Sequence, residues 1–226
     1  MKFAKLYIDV IKEKQPGWSD KFLSYKELKR LLRLIPDGNA EAEFMCLLNN
    51  EIDKFNDFFI EKEEEYIIRL KEFEQNIKKT IDLYKTNGSQ QSESDYKNMM
   101  NMLIKNIVNL HGEMVLLINY CNINYTGLGK ILEKYDSKTG ALKRVPFLQK
   151  VLEHPFLSTD VISKLVRECE NIIENVSHAD EAVERAKEEV VLHSEGLFKS
   201  TVEVLFTTTE NVMVIEDGNA SASASN

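Results

Sequence analysis

Residues 41–85 read EAEFMCLLNNEIDKFNDFFIEKEEEYIIRLKEFEQNIKKTIDLYK, without a proline or a glycine. Leu48, Ile52, Phe55, Phe59, Tyr66, Leu70, Phe73, Ile77, Ile81 and Tyr84 recur in this stretch on the three- and four-residue steps of a helical face. The spacing predicts one amphipathic helix of about 45 residues, roughly 65 Å long at ~1.5 Å per residue. A helix with a single apolar stripe needs a partner of the same kind. Downstream, Tyr96, Met100, Leu103, Ile107, Leu110, Met114, Leu117 and Cys121 supply a second stripe, and TNGSQQSESD, residues 86–95, reads as a polar loop between the two. Two such helices joined by a loop pack antiparallel, because each has one face to bury.

Upstream, Phe3, Tyr7, Val10 and Ile11 are spaced for a helix over 3–14, interrupted by Pro16 and Gly17. A second helix, 24–34, carries Leu28, Leu31 and Leu32 on one side and is closed by Pro36-Asp37-Gly38. The opening therefore reads as a helical hairpin. After Cys121, Asn122–Gly127 reads as a break, followed by a short basic helix over 128–135 that ends at Ser137–Gly140. A turn or two over 147–152 comes next, then a helix over 160–175 that Ser158 or Thr159 can cap. The segment to Val190 is compatible with helix, and GLFKSTVEVLFTTTENVMVI fits helix or strand equally. The final EDGNASASASN has the composition of a disordered tail. The fold class expected is all-α: an N-terminal hairpin packed on a bundle with two long antiparallel helices. Residues 1–170 form the domain, and 171–226 an acidic, partly helical extension.

The 226 residues carry a formal charge of −8, with 43% apolar residues, nine glycines and four prolines. That composition excludes a wholly disordered chain and a disulfide-stapled miniprotein, and favours long helices over a turn-rich sandwich. Charge is unevenly placed: residues 1–156 sum to +1 and 157–226 to −9. Residues 1–33 hold nine basic and four acidic groups, and 126–150 hold six and two. Overall acidity argues against a general nucleic-acid binder. No apolar run approaches the ~20 residues needed to span a bilayer, and the start MKFAKLYIDVIKEKQ lacks a signal-peptide core. Cys46, Cys121 and Cys169 have no ligand spacing and read as buried thiols of an intracellular protein.

Catalytic readings are thin. His111, His154, His178 and His193 form no metal-binding pattern, and no nucleophile elbow, phosphate loop or dinucleotide fingerprint is present. No catalytic residue and no metal site is assigned. His111 reads as structural, and Glu61, Glu63, Glu64 and Glu65 as a solvated face. The basic residues offer more. Tyr25 and Lys29 stand four apart and so share a helix face, and Lys130 and Lys134 repeat that step. Lys2 adjoins the chain start. If hairpin and short helix meet at one end of the bundle, ammonium groups and a phenol converge on a site suited to a polyanion. The competing reading is that these lysines merely solvate two helices.

The opening MKFAK, the run WSDKFLSYKELK at 18–29, EIDKFNDFF at 51–59 and NINYTGLGKILEKYDSKTG at 122–140 together resemble the SPX domain. HGEMVLLINYCNINYTGLGKILEKYDSKTG is similar to the plant proteins that consist of an SPX domain and little else. The resemblance implies the hairpin-plus-bundle fold and a ligand rather than a cofactor: an inositol pyrophosphate or inositol hexakisphosphate. Carried over by motif, the ligand-binding residues are Lys2, Tyr25, Lys29, Lys130 and Lys134, with Lys26 and Lys138 secondary. A lysine common to the family is Ser137 here, with Lys138 adjacent, and Glu133 replaces another. Both substitutions lower the local positive potential. The resemblance further implies a non-enzymatic phosphate-status sensor that binds MYB coiled-coil phosphate-starvation-response transcription factors, with no direct nucleic-acid contact. It implies nuclear location, with the cytoplasm second. The alternative from another class is a non-catalytic adaptor that holds a transporter or polymerase by its long helices.

Overall fold

A computed structural model of the chain describes residues 7, 11, 16–35, 40–87 and 90–177. Five helices appear in it: α1 (Tyr25–Leu34), α2 (Glu41–Asn87), α3 (Gln90–Thr139), α4 (Arg144–Val151) and α5 (Asp160–Ser177), with short 3-10 turns at Pro16–Trp18 and Pro155–Leu157. Among the described residues there is no strand. The expected all-α architecture is the one observed.

Helices α2 and α3, of 47 and 50 residues, form the long antiparallel hairpin. Their register is visible in three contacts. Glu41 accepts a hydrogen bond from Tyr135, Arg69 meets Glu113, and the Tyr84 and Tyr96 rings stack with centroids 4.5 Å apart. The residue number rises on one helix as it falls on the other. Phe55, Tyr66, Leu70, Ile107, Leu110, Met114 and Leu117 fill the seam, all buried. α5 completes a three-helix bundle by burying Ile162, Leu165, Cys169 and Ile173 against it.

Two expectations are corrected along α3. The polar stretch 86–95 is helical except for 88–89, which lie outside the described residues. Once past Gly88 it contains no helix breaker, and the Tyr84–Tyr96 stack holds the two helices together close to their junction. The second correction concerns 122–127, which is no break. The short basic helix over 128–135 is the end of α3 itself, running on to Thr139, and Gly140 leaves it with φ of 73°. Gly127 is helical because of what packs on it. A Cβ there would lie 2.9 Å from Leu23 Cδ2 and 3.2 Å from Tyr7 Cε2. Asn124, one turn earlier and fully buried, accepts from the Leu23 N–H at 2.9 Å and the Tyr7 hydroxyl at 3.1 Å, and donates to the Tyr120 carbonyl. The Asn and Gly that resemble punctuation are the seat of the N-terminal segment.

The cysteine expectation holds for two of three. Cys121 and Cys169 are buried, and burial pushes the Cys169 thiol up to about 12. Cys46 is exposed, on the outer side of α2. His111 is structural as expected, buried with Nε2 3.2 Å from Glu170 of α5. Of the first segment only Tyr7 and Ile11 are described, both buried. Lys2, residues 36–39 and the extension beyond Ser177, with His178 and His193, lie outside the described residues.

Candidate functional site

α1 lies at the end of the bundle where α2 begins and α3 finishes. Two contacts lay it along the last turns of α3. The Tyr25 phenol is close enough to Glu133 to feel its charge, and the Lys138 Nζ donates to the Arg33 carbonyl at 3.2 Å. The Tyr25 ring also sits 5.7 Å from that of Tyr7. Tyr25, Leu28, Leu31 and Leu32 are buried, which turns the basic side of α1 outward along this seam.

The sequence-assigned residues fall as follows. Tyr25 on α1 and Lys130, Lys134 and Lys138 on α3 are brought to the same end, with Lys29 one turn after Tyr25. Tyr25 is 2% exposed, and burial, helped by Glu133, pushes its phenol up to about 12. It therefore stays protonated and can act as a donor. Lys26 and Lys134 are exposed, and Lys29 is half-buried. Lys130 is drawn aside, its Nζ 3.1 Å from Glu133 Oε2. Ser137 turns its hydroxyl back to the Glu133 carbonyl at 2.8 Å and offers nothing outward. Lys138 reaches across to α1 in its place. Lys2 is outside the described residues.

The arrangement has a chemical consequence. Among the described residues, Lys26, Lys29, Arg33, Lys134 and Lys138 form no ion pair, whereas Arg30 and Lys130 do. Neighbouring carboxylates are engaged elsewhere. Glu27 holds Arg30 at 2.7 Å. Asp136 accepts the N–H groups of Lys143 and Arg144, both at 2.9 Å, at the start of α4. Glu41 is held below the usual carboxylate range by the Tyr135 hydroxyl first and Lys143 second. Like charges that converge without counter-charges favour a polyanion, which relieves their repulsion. Arg33 joins these candidates on the exposed side of α1 and is not assigned from the sequence. The signal was there, since Tyr25, Lys29 and Arg33 continue one four-residue step along α1.

Among the described residues, no group of three or more His, Cys, Asp or Glu is placed to hold a metal ion, and no helix is long and apolar enough to cross a membrane.

No family model matches the chain. It is 45% identical over 215 residues to SPX domain-containing protein 3 of Arabidopsis thaliana, covering 93% of this chain and 85% of that protein. Over 214 residues it is 44% identical to SPX domain-containing protein 5 of Oryza sativa subsp. indica, covering 93% and 82%. Over 200 residues it is 46% identical to SPX domain-containing protein 1 of Arabidopsis thaliana, covering 80% and 73%. In fold it is similar to the SPX domain of Chaetomium thermophilum glycerophosphodiester phosphodiesterase 1, solved with inositol hexakisphosphate. The TM-score is 0.57 at 22% identity, over 76% of this chain and 96% of that one.

Proposed function

This chain belongs to the plant SPX domain-containing proteins, and on that premise we propose that it is a non-enzymatic sensor of inositol polyphosphates. The observation that carries the reading is the set of cations on α1 and the end of α3, Lys26, Lys29, Arg33, Lys134 and Lys138, gathered without carboxylate partners among the described residues. The fold relative bound to inositol hexakisphosphate supports the ligand class. Inositol pyrophosphate is the regulatory ligand of this reading and inositol hexakisphosphate its simpler congener. By the family motif, Lys2 is a further ligand-binding residue of this reading.

The finer proposal follows from the family. With ligand bound, the protein captures MYB coiled-coil phosphate-starvation-response transcription factors in the nucleus and keeps them from acting, so that phosphate-starvation signalling is repressed. A ligand promotes such capture only if the partner binds the occupied state better than the empty one. Residues 1–170 suffice for the ligand in this proposal, and 171–226 form an acidic extension.

Calorimetric titration with an inositol pyrophosphate tests it, comparing the chain with Lys130→Ala/Lys134→Ala. Micromolar or tighter binding that the double variant loses is the expected outcome, followed by ligand-dependent pull-down of the transcription factor. Absence of binding by the unaltered chain refutes the sensor. A second reading, an adaptor for a transporter or polymerase, is favoured by Ile68, Leu83, Met99 and Met102, which are exposed on the long helices. Charge reversal at Lys130 and Lys134 leaves assembly intact under that reading and abolishes regulation under the first.

A further inference from the structure

The backbone just ahead of α1 is gripped from both long helices. Glu51 of α2 accepts the Ser24 N–H at 2.8 Å, and Lys54, one turn on, donates to the Phe22 carbonyl at 2.9 Å. Lys54 also pairs with Glu51 at 2.7 Å. From α3, Asn124 accepts the Leu23 N–H at 2.9 Å, and the Tyr120 hydroxyl donates to the Lys21 carbonyl at 3.1 Å. The grip is dry: Glu51 is 5% exposed and Asn124 0%. A carboxylate and an amide buried among Phe22, Phe55 and Tyr120 are costly to hold there unless every polar atom is directed at a partner. Ser24, the residue at the start of α1, makes no side-chain cap of its own. Glu51 accepts the N–H of Ser24 itself, the part that a Glu three residues into the helix plays in a capping box.

Beyond Ser24, α1 is held by the burial of Leu28, Leu31 and Leu32, and the polar tie described at its far end is the exposed bond from Lys138 to the Arg33 carbonyl. Lys29 stands about 7 Å beyond Ser24 along the axis and Arg33 about 13 Å. A small rotation at residues 23–24 therefore becomes a large displacement of the cations. We propose that Glu51 and Asn124 are positioning residues of the polyanion site, fixing the height and rotation at which α1 presents Lys26 and Lys29 at the end of the bundle where α3 carries Lys134. Neither meets the ligand. The inference rests on the ligand class proposed above, and it adds why the EIDK run of α2, far from the basic segments in sequence, belongs to the same device.

The test titrates inositol hexakisphosphate into the full chain and into Glu51→Ala, Glu51→Gln, Lys26→Ala/Lys29→Ala and the triple combination. Glu51→Ala weakens binding about tenfold, as expected when a charge-assisted bond that sets geometry is lost. Glu51→Gln keeps an acceptor for the Ser24 N–H and binds within about twofold of the parent. In the Lys26→Ala/Lys29→Ala background, Glu51→Ala adds no further loss, because the cations it positions are gone. Additive losses overturn the inference. So does a Glu51→Ala variant with an unchanged dissociation constant and fewer binding-competent molecules, the mark of mere unfolding. Should Glu51→Ala fail to fold, Asn124→Ser carries the same cycle. Failure of the unaltered chain to bind removes the ligand class itself, and with it this inference, whereas a bound parent with an indifferent Glu51→Ala removes the inference alone.

Discussion

The middle of the α2–α3 hairpin and its α1 end are both rich in cations, and they use them in opposite ways. In the middle, Arg69 forks onto Glu113 with bonds of 2.6 and 3.0 Å and touches Glu65 at 3.1 Å, while Lys62 meets Glu65 at 2.6 Å. Those charges are complemented within the fold and tie one long helix to the other. At the α1 end, Glu27, Glu133 and Glu41 take up Arg30, Lys130 and Lys143, Asp136 serves backbone N–H groups, and among the described residues Lys26, Lys29, Arg33, Lys134 and Lys138 form no ion pair. The difference is one of arrangement rather than count. Positive charge matched by geometry holds a structure, and in the proposed reading the unmatched charge is what meets the ligand.

The sharpest way to break this comparison is to reverse charges at one end and delete them in the middle. Lys29→Glu/Lys134→Glu is expected to weaken inositol hexakisphosphate binding by about 100-fold or more, at roughly tenfold per charged contact, with little change in thermal midpoint. Arg69→Ala should do the opposite, lowering stability by about 1–3 kcal/mol with binding unchanged. Calorimetry and denaturant titration on both variants check the pair. Equal effects on binding would erase the distinction.

A second prediction concerns the seat of the N-terminal segment. Gly127→Leu drives a side chain into Leu23 and Tyr7, which already crowd the position. Overpacking of that kind costs about 1–3 kcal/mol, and the denaturation midpoint should fall accordingly. Gly127→Ala, which gains helix propensity against a smaller clash, should lose less.

Acid and base probe one chosen group in each region. Glu65 is held below the usual carboxylate range by the Lys62 hydrogen bond first and then Arg69. Its contribution to stability is therefore present above its unfolded value of 4.5 and is lost as the pH falls through its folded one. Tyr25 runs the other way. Burial raises it from 10.0 to about 12, so its contribution is complete below pH 10 and is lost as the pH rises through 12. Denaturant midpoints measured across the scale should show an acid limb that Glu65→Gln reduces and an alkaline limb that Tyr25→Phe reduces.

The smallest effect expected is at Glu133. It holds Lys130 at 3.1 Å, and a ligand must compete for that lysine. Glu133→Gln should tighten binding by about two- to fivefold, the scale of a half-exposed ion pair. A loss of affinity instead would mean that Glu133 orients Lys130 rather than detaining it.

Much of the fold was legible along the chain because apolar periodicity reports burial directly. The stripes from Leu48 to Leu70 and from Met100 to Cys121 became buried faces of the long helices, while Phe73, Ile77, Ile81 and Tyr96 are half-buried and Tyr84 is exposed toward the junction. Tyr25 with Lys29, and Lys130 with Lys134, each lie on one helix as their four-residue step predicts, since a helix face is a local property. The polar segments 86–95 and 122–127 were misjudged for a common reason. Serine, asparagine and glycine report a preference of the isolated backbone, and tertiary contacts at Tyr84–Tyr96 and at Gly127 overrode it.

By itself, then, the sequence determined that this chain makes long amphipathic helices and carries two basic segments, because spacing and charge are written residue by residue. Only the tertiary structure decided which cations are matched and which are left open, and that Glu51, an acid among acids in α2, holds the first turn of α1. Those depend on distances between residues 27 to 105 positions apart. The pattern within a helix constrains its own faces, and says nothing of which neighbour will meet them.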